Sequence, residues 1–172
     1  MENKALFLDR DGVINFDYGY VYKKEDFKFL PEIFNICKSA LKNCFKIIVV
    51  TNQSGIGQNF FTEKDFKLIS EFMLSKFRDH QIEITHIYFC PYHPIKGKGK
   101  YLKDSSLRKP KPGMFFKAEK DYAINLRKSI MIGDKKTDHE ASRSANIKHF
   151  VDANMNDWEQ CSIKIINNSK DN

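Results

Sequence analysis

The sequence contains no apolar run that approaches the ~18 residues needed to span a membrane. It also shows no internal repeat and no shift in composition that would mark a linker. Residues 1–4 lead almost directly into an apolar segment, so no targeting segment is expected. We therefore predict one domain over residues 1–172, with a core at about 5–151, a disordered tail after about 167 and no membrane contact.

Cysteine is scarce and scattered. The chain has four cysteines, which form no Cys-x-x-Cys pair and lie far apart in the sequence: Cys37, Cys44, Cys90 and Cys161. Such a distribution excludes a disulfide framework and is typical of reduced thiols. We therefore expect a cytoplasmic protein.

The composition excludes a disordered chain, because 41% of the residues are hydrophobic and 30% are charged. The 29 Lys and Arg residues exceed the 22 Asp and Glu residues, which gives a net charge of +7. This excess favours anionic ligands such as sugar phosphates, nucleotides or nucleic acid. A general abundance of surface lysine would give the same balance without any ligand, so both interpretations stay open.

Four apolar segments have the length of buried strands, and each ends in a polar cluster. Segments with helical spacing of apolar residues alternate with them, which predicts an α/β fold with a central parallel sheet. The carboxyl ends of parallel strands share one edge, so the polar clusters should converge there. The predicted strands are 5–8, 45–50, 82–90 and 129–133, with a fifth at 147–151 and a short one at 163–166; the predicted helices are 31–43, 62–77, 114–122 and 140–146.

The first strand ends in two carboxylates, Asp9 and Asp11, followed by Gly12. Glycine permits a sharp turn, so both carboxylates can reach one site. Such a pair can divide its work, one acting as nucleophile and the other transferring a proton, while a divalent cation neutralises the crowded charge. Taken alone, the pair is equally typical of a helix cap or a solvated turn.

Two later segments also suggest anion binding. Residues 51–57 carry hydroxyls, amides and two glycines after a strand, which is typical of a phosphate cradle but also of an ordinary strand-to-helix turn. Residues 96–103 form a basic, glycine-containing loop. We expect this loop to be mobile and to be the best candidate for a lid, although most such loops are simply solvated.

Four motifs, taken in order, resemble the signature of the haloacid dehalogenase (HAD) superfamily. They are Asp9-x-Asp11-Gly12, Thr51 after a strand, Lys109 before a proline, and Gly133-Asp134-x-x-x-Asp138. The similarity extends to residues 7–15, 17–21, 51–56, 90–91, 108–110 and 112–114, which resemble the D-glycero-D-manno-heptose 1,7-bisphosphate phosphatases and the related histidinol-phosphate phosphatases. The resemblance implies a three-layer α/β/α Rossmann-like fold, essentially without a cap. It also implies a role in making a heptose precursor of lipopolysaccharide or S-layer.

The resemblance also implies a role for each motif residue. Asp9 would be the nucleophile that forms an aspartyl-phosphate, and Asp11 would be the general acid and base. Thr51 and Lys109 would stabilise the transferring phosphoryl group. Mg²⁺ would be held by Asp9, the backbone carbonyl of Asp11 and Asp134, with Asp138 either orienting metal-bound water or capping a helix. The implied substrate-binding residues are Arg10, Asp17, Tyr18, Gly19, Tyr20, Asn52, Gln53, Ser54, Arg108 and Lys135.

The sequence departs from the family pattern in the loop after the third strand, where relatives usually bind a structural zinc ion through a Cys-x-His pair and a later Cys-x-Cys pair. Here Cys90 is retained, but Tyr92, Ser105 and Leu107 occupy the other three ligand positions. One ligand is too few for a tetrahedral site, so no zinc is expected, and His93 is expected to be a partly packed side chain. Gln58 also stands where many members carry arginine.

The first functional hypothesis is a monomeric, Mg²⁺-dependent phosphatase that removes the C7 phosphate of D-glycero-D-manno-heptose 1,7-bisphosphate. Histidinol-phosphate phosphatase is the alternative with the same motifs. A phosphatase for nucleic-acid ends is less favoured, because a basic patch interleaved with aromatic residues is not evident outside residues 96–103. A non-catalytic binding protein of the same fold is the hypothesis from another class. The preferred anomer stays open.

Overall fold

Five strands form one parallel sheet in this computed structural model, which describes residues 3–169. The strands are β1 (Lys4–Leu8), β2 (Phe45–Asn52), β3 (His86–Cys90), β4 (Ile130–Gly133) and β5 (His149–Asp152). Their order in the sheet is β3-β2-β1-β4-β5, so Leu6 of β1 pairs with Ile47 on one side and Ile130 on the other. The direction of winding reverses between β1 and β4. Open α/β sheets bind their ligands at such a switch point.

Helices cover both faces of the sheet, which confirms the predicted three layers. The helices are α1 (Glu32–Lys42), α2 (Ser54–Gly57), α3 (Glu63–Asp79), α4 (Gly113–Tyr122), α5 (Lys136–Ser144) and α6 (Trp158–Asn168). Successive side chains of a strand point to opposite faces, so Leu6 and Leu8 pack with α1, α3 and α6, whereas Ala5 and Phe7 pack with α4 and α5. Burial on both faces explains why residues 5–8 of β1 are all apolar.

Short connections leave the carboxyl edge of the sheet open. Between β1 and α1 the chain forms loops and a 3₁₀ turn at Lys24–Asp26, and between β2 and α3 it forms only α2. Residues 3–169 therefore include no cap at these two positions, as predicted. The prediction of one domain for the whole of 1–172 extends beyond the described residues and stays a prediction.

The start of α3 is fixed by a capping box formed by Thr62 and Asp65. The Thr62 Oγ1 atom accepts a hydrogen bond from the Asp65 backbone N–H at 3.1 Å, and the Thr62 backbone N–H donates to Asp65 Oδ2 at 2.8 Å. These bonds satisfy two amide groups that the helix start leaves without internal partners. The cap fixes where the chain turns away from the residues that follow β2.

The C-terminal prediction was wrong. The predicted strand at 163–166 lies inside α6, whose residue Ile166 is fully buried against the core and whose Glu159 accepts a hydrogen bond from Asn35 of α1 at 2.8 Å. Asn167 and Asn168 are helical too, in contrast to the expected disordered tail, and residues 170–172 lie outside the described part. The third strand also begins at His86, four residues later than predicted. Among the helices of residues 3–169, none combines the length and apolar character that crossing a membrane requires.

Candidate active site

Three carboxylates converge at the switch point of the sheet. Asp9 follows β1, Asp134 follows β4, and Asp138 lies in the first turn of α5. One carboxylate oxygen from each residue lies within 4.8 Å of the others. The convergence predicted from the strand ends is therefore present.

Lys109 inserts a buried cation into this group. Its Nζ atom lies 3.0 Å from Asp9 Oδ1 and 2.6 Å from Asp138 Oδ1, and it donates to the Val50 carbonyl at 2.8 Å. These three contacts account for the three hydrogens of an ammonium group. Burial by itself lowers the pKa of Lys109, but the adjacent Asp9 and Asp138 outweigh it and raise the pKa, so the lysine stays charged.

Burial, aided by the neighbouring carboxylates, raises the pKa of two carboxyl groups in the cluster. Burial raises the pKa of Asp9 to about 7 against the opposing effect of Lys109, and Asp138, Asp11 and Asp134 raise it further. Burial likewise raises the pKa of Asp134 to about 6, although Lys135 opposes the change. A bound cation would favour the ionised form of both groups.

The donor set fits a hard divalent cation. Asp134 Oδ1 is buried and has no hydrogen-bond partner in the described chain, 3–169, which leaves it available as a ligand. Asp9 offers a second carboxylate oxygen within reach. Asp138 is more fully engaged, because its Oδ2 accepts the backbone N–H of Lys135 at 3.1 Å and so forms the helix cap that the sequence left as one alternative. Oxygen ligands of this kind suit Mg²⁺.

Gly12 allows the loop after β1 to approach Asp134. It has a φ of +86°, and a Cβ atom at this position would lie 2.3 Å from Asp134 Oδ2. Only glycine avoids both the unfavourable backbone angle and this collision. The sequence indicated the turn, but not the contact.

The carboxylate of Asp11 is surrounded by hydrogen-bond donors. Arg10 Nη2 donates to its two oxygens at 2.8 and 2.9 Å. Asn15 Nδ2 donates to Oδ1 and Gln53 Nε2 donates to Oδ2, both at 3.0 Å. The side chain is 15% exposed, and it lines the cavity beside the cluster.

Side chains at the end of β2, and Gln53 directly after it, connect Asp11 with the loop that carries Lys109. Gln53 Nε2 also donates to Thr51 Oγ1 at 2.9 Å. The Asn52 side chain donates to the backbone carbonyl of Lys109 at 3.0 Å and accepts its backbone N–H at 3.1 Å. Asn52 thus holds the Lys109 backbone in addition to lining the cavity, a function that no feature of the sequence indicated.

A cavity of about 360 Å³ opens beside these groups. Its lining includes eight of the ten predicted substrate-binding residues, together with Gly55 of the 51–57 segment and Thr137, which no sequence motif indicated. At its mouth, Lys135 Nζ pairs with Asp17 Oδ2 at 2.8 Å. The lining residues are Asp11, Asp17, Gly19, Tyr20, Asn52, Gln53, Ser54, Gly55, Arg108, Lys109, Lys135 and Thr137.

Comparison with known proteins assigns this arrangement to a family. The profile of the polynucleotide kinase 3 phosphatase family matches residues 8–169. The chain belongs to this family of HAD-type phosphatases. It is 45% identical over 147 residues to a D-glycero-alpha-D-manno-heptose-1,7-bisphosphate 7-phosphatase of Burkholderia mallei, covering 86% of this chain and 78% of that one. It is 40% identical over 166 residues to a D-glycero-beta-D-manno-heptose-1,7-bisphosphate 7-phosphatase of Helicobacter pylori, covering 92% of each.

Solved structures agree with this assignment. A protein described as a HAD-like phosphatase, from Mesorhizobium loti, has a TM-score of 0.88 and 27% identity over 99% of this chain and 89% of that one. The D,D-heptose 1,7-bisphosphate phosphatase of B. bronchiseptica, complexed with magnesium and phosphate, has a TM-score of 0.75 and 25% identity over 85% of this chain and 78% of that one. The HAD fold and the phosphatase class predicted from the motifs are thus confirmed.

Two predicted substrate-binding residues of the phosphatase do not line this cavity. The Arg10 side chain is 1% exposed and points beneath Asp11, where Nη2 also donates to the Val21 carbonyl at 2.7 Å. Tyr18 is exposed and stacks on Phe16 with the ring centroids 6.1 Å apart. The turn at Gly12 and the loop after it direct these side chains away from the cavity, which corrects the expectation for both.

Hydrogen bonds hold the loop that follows β3 in the phosphatase. His93 Nδ1 accepts the backbone N–H groups of Ile95 and Lys96 at 3.2 and 3.0 Å, so His93 is a structural side chain here. Lys98 N–H donates to the Gly57 carbonyl at 2.8 Å. No residue of the basic 96–103 segment lines the cavity. That residues 96–103 act as a lid, and that the loop binds no zinc, both stay predictions.

Proposed function

We propose that this phosphatase removes the C7 phosphate of D-glycero-D-manno-heptose 1,7-bisphosphate in a Mg²⁺-dependent reaction through an aspartyl-phosphate. Relatives with this substrate in their names, at 40–45% identity over most of the chain, support the proposal. Both anomers occur among those names, so the preferred anomer is a question for experiment.

The observation that carries the proposal is a cavity with two places for an anion. The buried Lys109 lines it, and Asp9 lies 3.0 Å from the Lys109 Nζ atom, so a phosphoryl group would react at this end. Arg108 lines the same cavity, is half-buried, and uses Nη1 to donate to the Tyr92 carbonyl at 3.2 Å. The guanidinium fork is suited to a second phosphate. A small substrate with two phosphates could therefore place one phosphate beside Lys109 and the other beside Arg108.

The chemistry proceeds in two displacements at phosphorus. A carboxylate oxygen of Asp9 attacks the phosphorus, the bond from phosphorus to the sugar oxygen breaks, and that oxygen takes a proton from Asp11. Water then attacks the phosphorus and gives a proton to Asp11, while the bond to Asp9 breaks and inorganic phosphate leaves. Lys109 stabilises the negative charge of the transferring group, and Thr51, at the end of β2, is placed to donate a hydrogen bond to it.

Asp9, Asp134 and the backbone carbonyl of Asp11 would hold Mg²⁺. Bound there, Mg²⁺ would withdraw charge from the phosphoryl oxygens and reduce their repulsion from the nucleophile. Lys109 restricts rotation of Asp9 through a 3.0 Å contact, and Asp138, 2.6 Å from the same Nζ atom, holds Lys109 in turn.

Phosphate release with Mg²⁺ from a substrate panel tests the proposal. The panel contains both anomers of the heptose bisphosphate, fructose 1,6-bisphosphate, histidinol phosphate and a 3′-phosphorylated oligonucleotide. We expect the heptose bisphosphate to be preferred by orders of magnitude and Asp9→Asn to be inactive, while Asp121→Asn, remote from the site, keeps full activity. A preference for histidinol phosphate or the oligonucleotide would contradict the substrate. A folded but inactive wild type would favour the binding-protein hypothesis.

The cytoplasmic location and the monomeric state stay predictions. All four cysteines are free thiols in the structure, which agrees with a reducing compartment. Size-exclusion chromatography with light scattering would test the monomer directly.

A further inference from the structure

The buried guanidinium of Arg10 contacts the proposed acid/base residue instead of the cavity. Besides the two Nη2 contacts, its Nε lies 3.2 Å from each oxygen of Asp11. The guanidinium of Arg10 therefore contacts both oxygens of the Asp11 carboxylate from the protein interior. A phosphate in the cavity cannot reach this guanidinium, since Arg10 is 1% exposed.

The surroundings of Arg10 are poorly suited to a charge that serves only for packing. The guanidinium carbon lies 5.9 and 5.8 Å from the ring centroids of Phe27 and Phe66, cation–π contacts that offset only part of the cost of burying a charge, and Nη1 is buried with no hydrogen-bond partner among the residues described. An unpaired buried donor costs free energy. A long apolar side chain of similar volume would fill such a position without that cost. The charge of Arg10 therefore serves another purpose.

We propose that Arg10 is a positioning residue that fixes the orientation of the Asp11 carboxylate for proton transfer. The proposal rests on the acid/base role of Asp11 in the proposed function. Asn15 and Gln53 each donate a hydrogen bond to one Asp11 oxygen, and the buried Arg10 donates to both oxygens. The part of the carboxylate that remains free lines the cavity. A general acid acts only within hydrogen-bond reach of the atom that it protonates. A misplacement of about 1 Å can reduce a rate by about 100-fold.

The identity of the leaving group separates positioning of the acid from other roles. An alkyl phosphate releases a sugar or alcohol oxygen, which needs the proton of Asp11 as the bond to phosphorus breaks. p-Nitrophenyl phosphate releases a stable phenolate, which leaves without a proton. Loss of Arg10 should therefore slow formation of the aspartyl-phosphate far more from the alkyl phosphate than from the aryl phosphate, whereas hydrolysis of that intermediate is the same step for both.

The test compares Arg10→Gln and Arg10→Lys with wild type on the heptose bisphosphate and on p-nitrophenyl phosphate, at saturating Mg²⁺. We expect Arg10→Gln to lower kcat/KM, which reports only the steps up to release of the leaving group, by about 100-fold on the alkyl substrate and by less than about 5-fold on the aryl substrate. Arg10→Lys, which keeps the charge but not the fork, should recover part of the loss. Asp11→Asn serves as the reference, with the same selectivity for the alkyl substrate and a larger effect. If Arg10→Gln fails to fold, Arg10→Lys shows the same selectivity with a loss of about 10-fold.

Two results would overturn the proposal. Equal losses on both substrates would mean that Arg10 only supports the fold or the Val21 loop. A raised KM with unchanged kcat, the pattern expected of Arg108→Gln, would make Arg10 a substrate-binding residue.

Failure of the proposed function would give a different result. If wild type does not hydrolyse the heptose bisphosphate, an alkyl phosphate from the panel that it does hydrolyse takes its place, and the Arg10 test is unchanged. If Asp11→Asn shows no selectivity between leaving groups, the acid/base role fails, and the proposal for Arg10 fails with it.

Discussion

Two neighbouring regions at the carboxyl edge of the sheet are held in different ways. The ionic cluster of Asp9, Lys109 and Asp138 consists of side chains that are 8% exposed or less and contact each other at 2.6 to 3.0 Å. The loop of residues 91–107 leads directly into this cluster, yet most of its residues are exposed or half-buried, and it is held mainly by hydrogen bonds to backbone groups. One region depends on buried charge, and the other on local bonds.

The difference predicts where the protein tolerates change. In the ionic cluster each charge offsets the burial of the others, so removal of one leaves an uncompensated charge in the interior. In the 91–107 loop, water can replace a lost partner, so the net loss per hydrogen bond is small. Catalysis needs fixed charges such as those of the ionic cluster, because preorganised charges do not have to be rearranged during the reaction. The following predictions test this contrast, beginning with the largest effect.

Lys109→Met should both inactivate and destabilise the protein. The substitution leaves Asp9 and Asp138 buried without their cation, which we expect to lower the free energy of unfolding by about 3–5 kcal/mol. Urea unfolding at neutral pH measures the change. The matched control is Lys111→Met, because Lys111 is 44% exposed and pairs only with the exposed Asp104, a contact worth less than about 1 kcal/mol. Equal stabilities for the two variants would contradict the contrast.

Alanine substitution of two glycines with positive φ, Gly12 and Gly99, distinguishes the effect of backbone strain from an effect on the active site. Gly12→Ala combines a φ of +86° with a collision at Asp134, whereas Gly99→Ala in the loop has a φ of +54° and open space around it. Both should lose about 1–2 kcal/mol of stability through the backbone angle. Only Gly12→Ala should also displace Asp134, a proposed Mg²⁺ ligand, and raise the Mg²⁺ concentration needed for half-maximal activity by about 10-fold or more. Magnesium titrations of phosphate release, alongside thermal unfolding, distinguish the two.

The sequence predicted the ionic cluster better than its surroundings. Asp9 and Asp134 each follow an apolar strand and Thr51 lies at the end of one, and parallel strands place their ends together whatever the details of packing. By contrast, the direction of Arg10 depends on contacts with Phe27, Phe66 and Val21, which lie in other segments. No local pattern carries such information.

The error at residues 163–166 has a similar origin. A short apolar run fits a strand or a helix equally well by periodicity, and packing decides between them. Here α6 packs against α1, with Ile166 buried in the core and Asn35 bonded to Glu159. The turn at 54–57, predicted only as a polar connection, became the short α2 for the same reason, because Ile56 is buried.

His93→Ala should have a small effect, because it removes one acceptor from an exposed part of the 91–107 loop. The N–H groups of Ile95 and Lys96 lose His93 Nδ1 as a partner and gain water instead. We expect a loss of about 0.5–1.5 kcal/mol in unfolding free energy and less than about 2-fold in kcat. A loss of activity comparable to that of Gly12→Ala would show that the loop acts on the site, as a lid would, and would weaken the contrast.

Chelation should produce the smallest change in the 91–107 loop. Cys90 is buried, and its Sγ lies 3.9 Å from the Tyr92 carbonyl, while Ser105 is buried at a position where relatives usually carry a zinc ligand. A single cysteine does not hold zinc tetrahedrally, so a zinc-selective chelator at saturating Mg²⁺ should leave both the melting temperature and kcat unchanged. EDTA without added Mg²⁺ should abolish activity, because Asp9 and Asp134, the proposed carboxylate ligands, then lack the metal ion. A fall in melting temperature with the zinc chelator, together with zinc in elemental analysis of the purified protein, would mean that the loop depends on a metal after all. The two regions would then both be organised by charge, and the proposed contrast between them would fail.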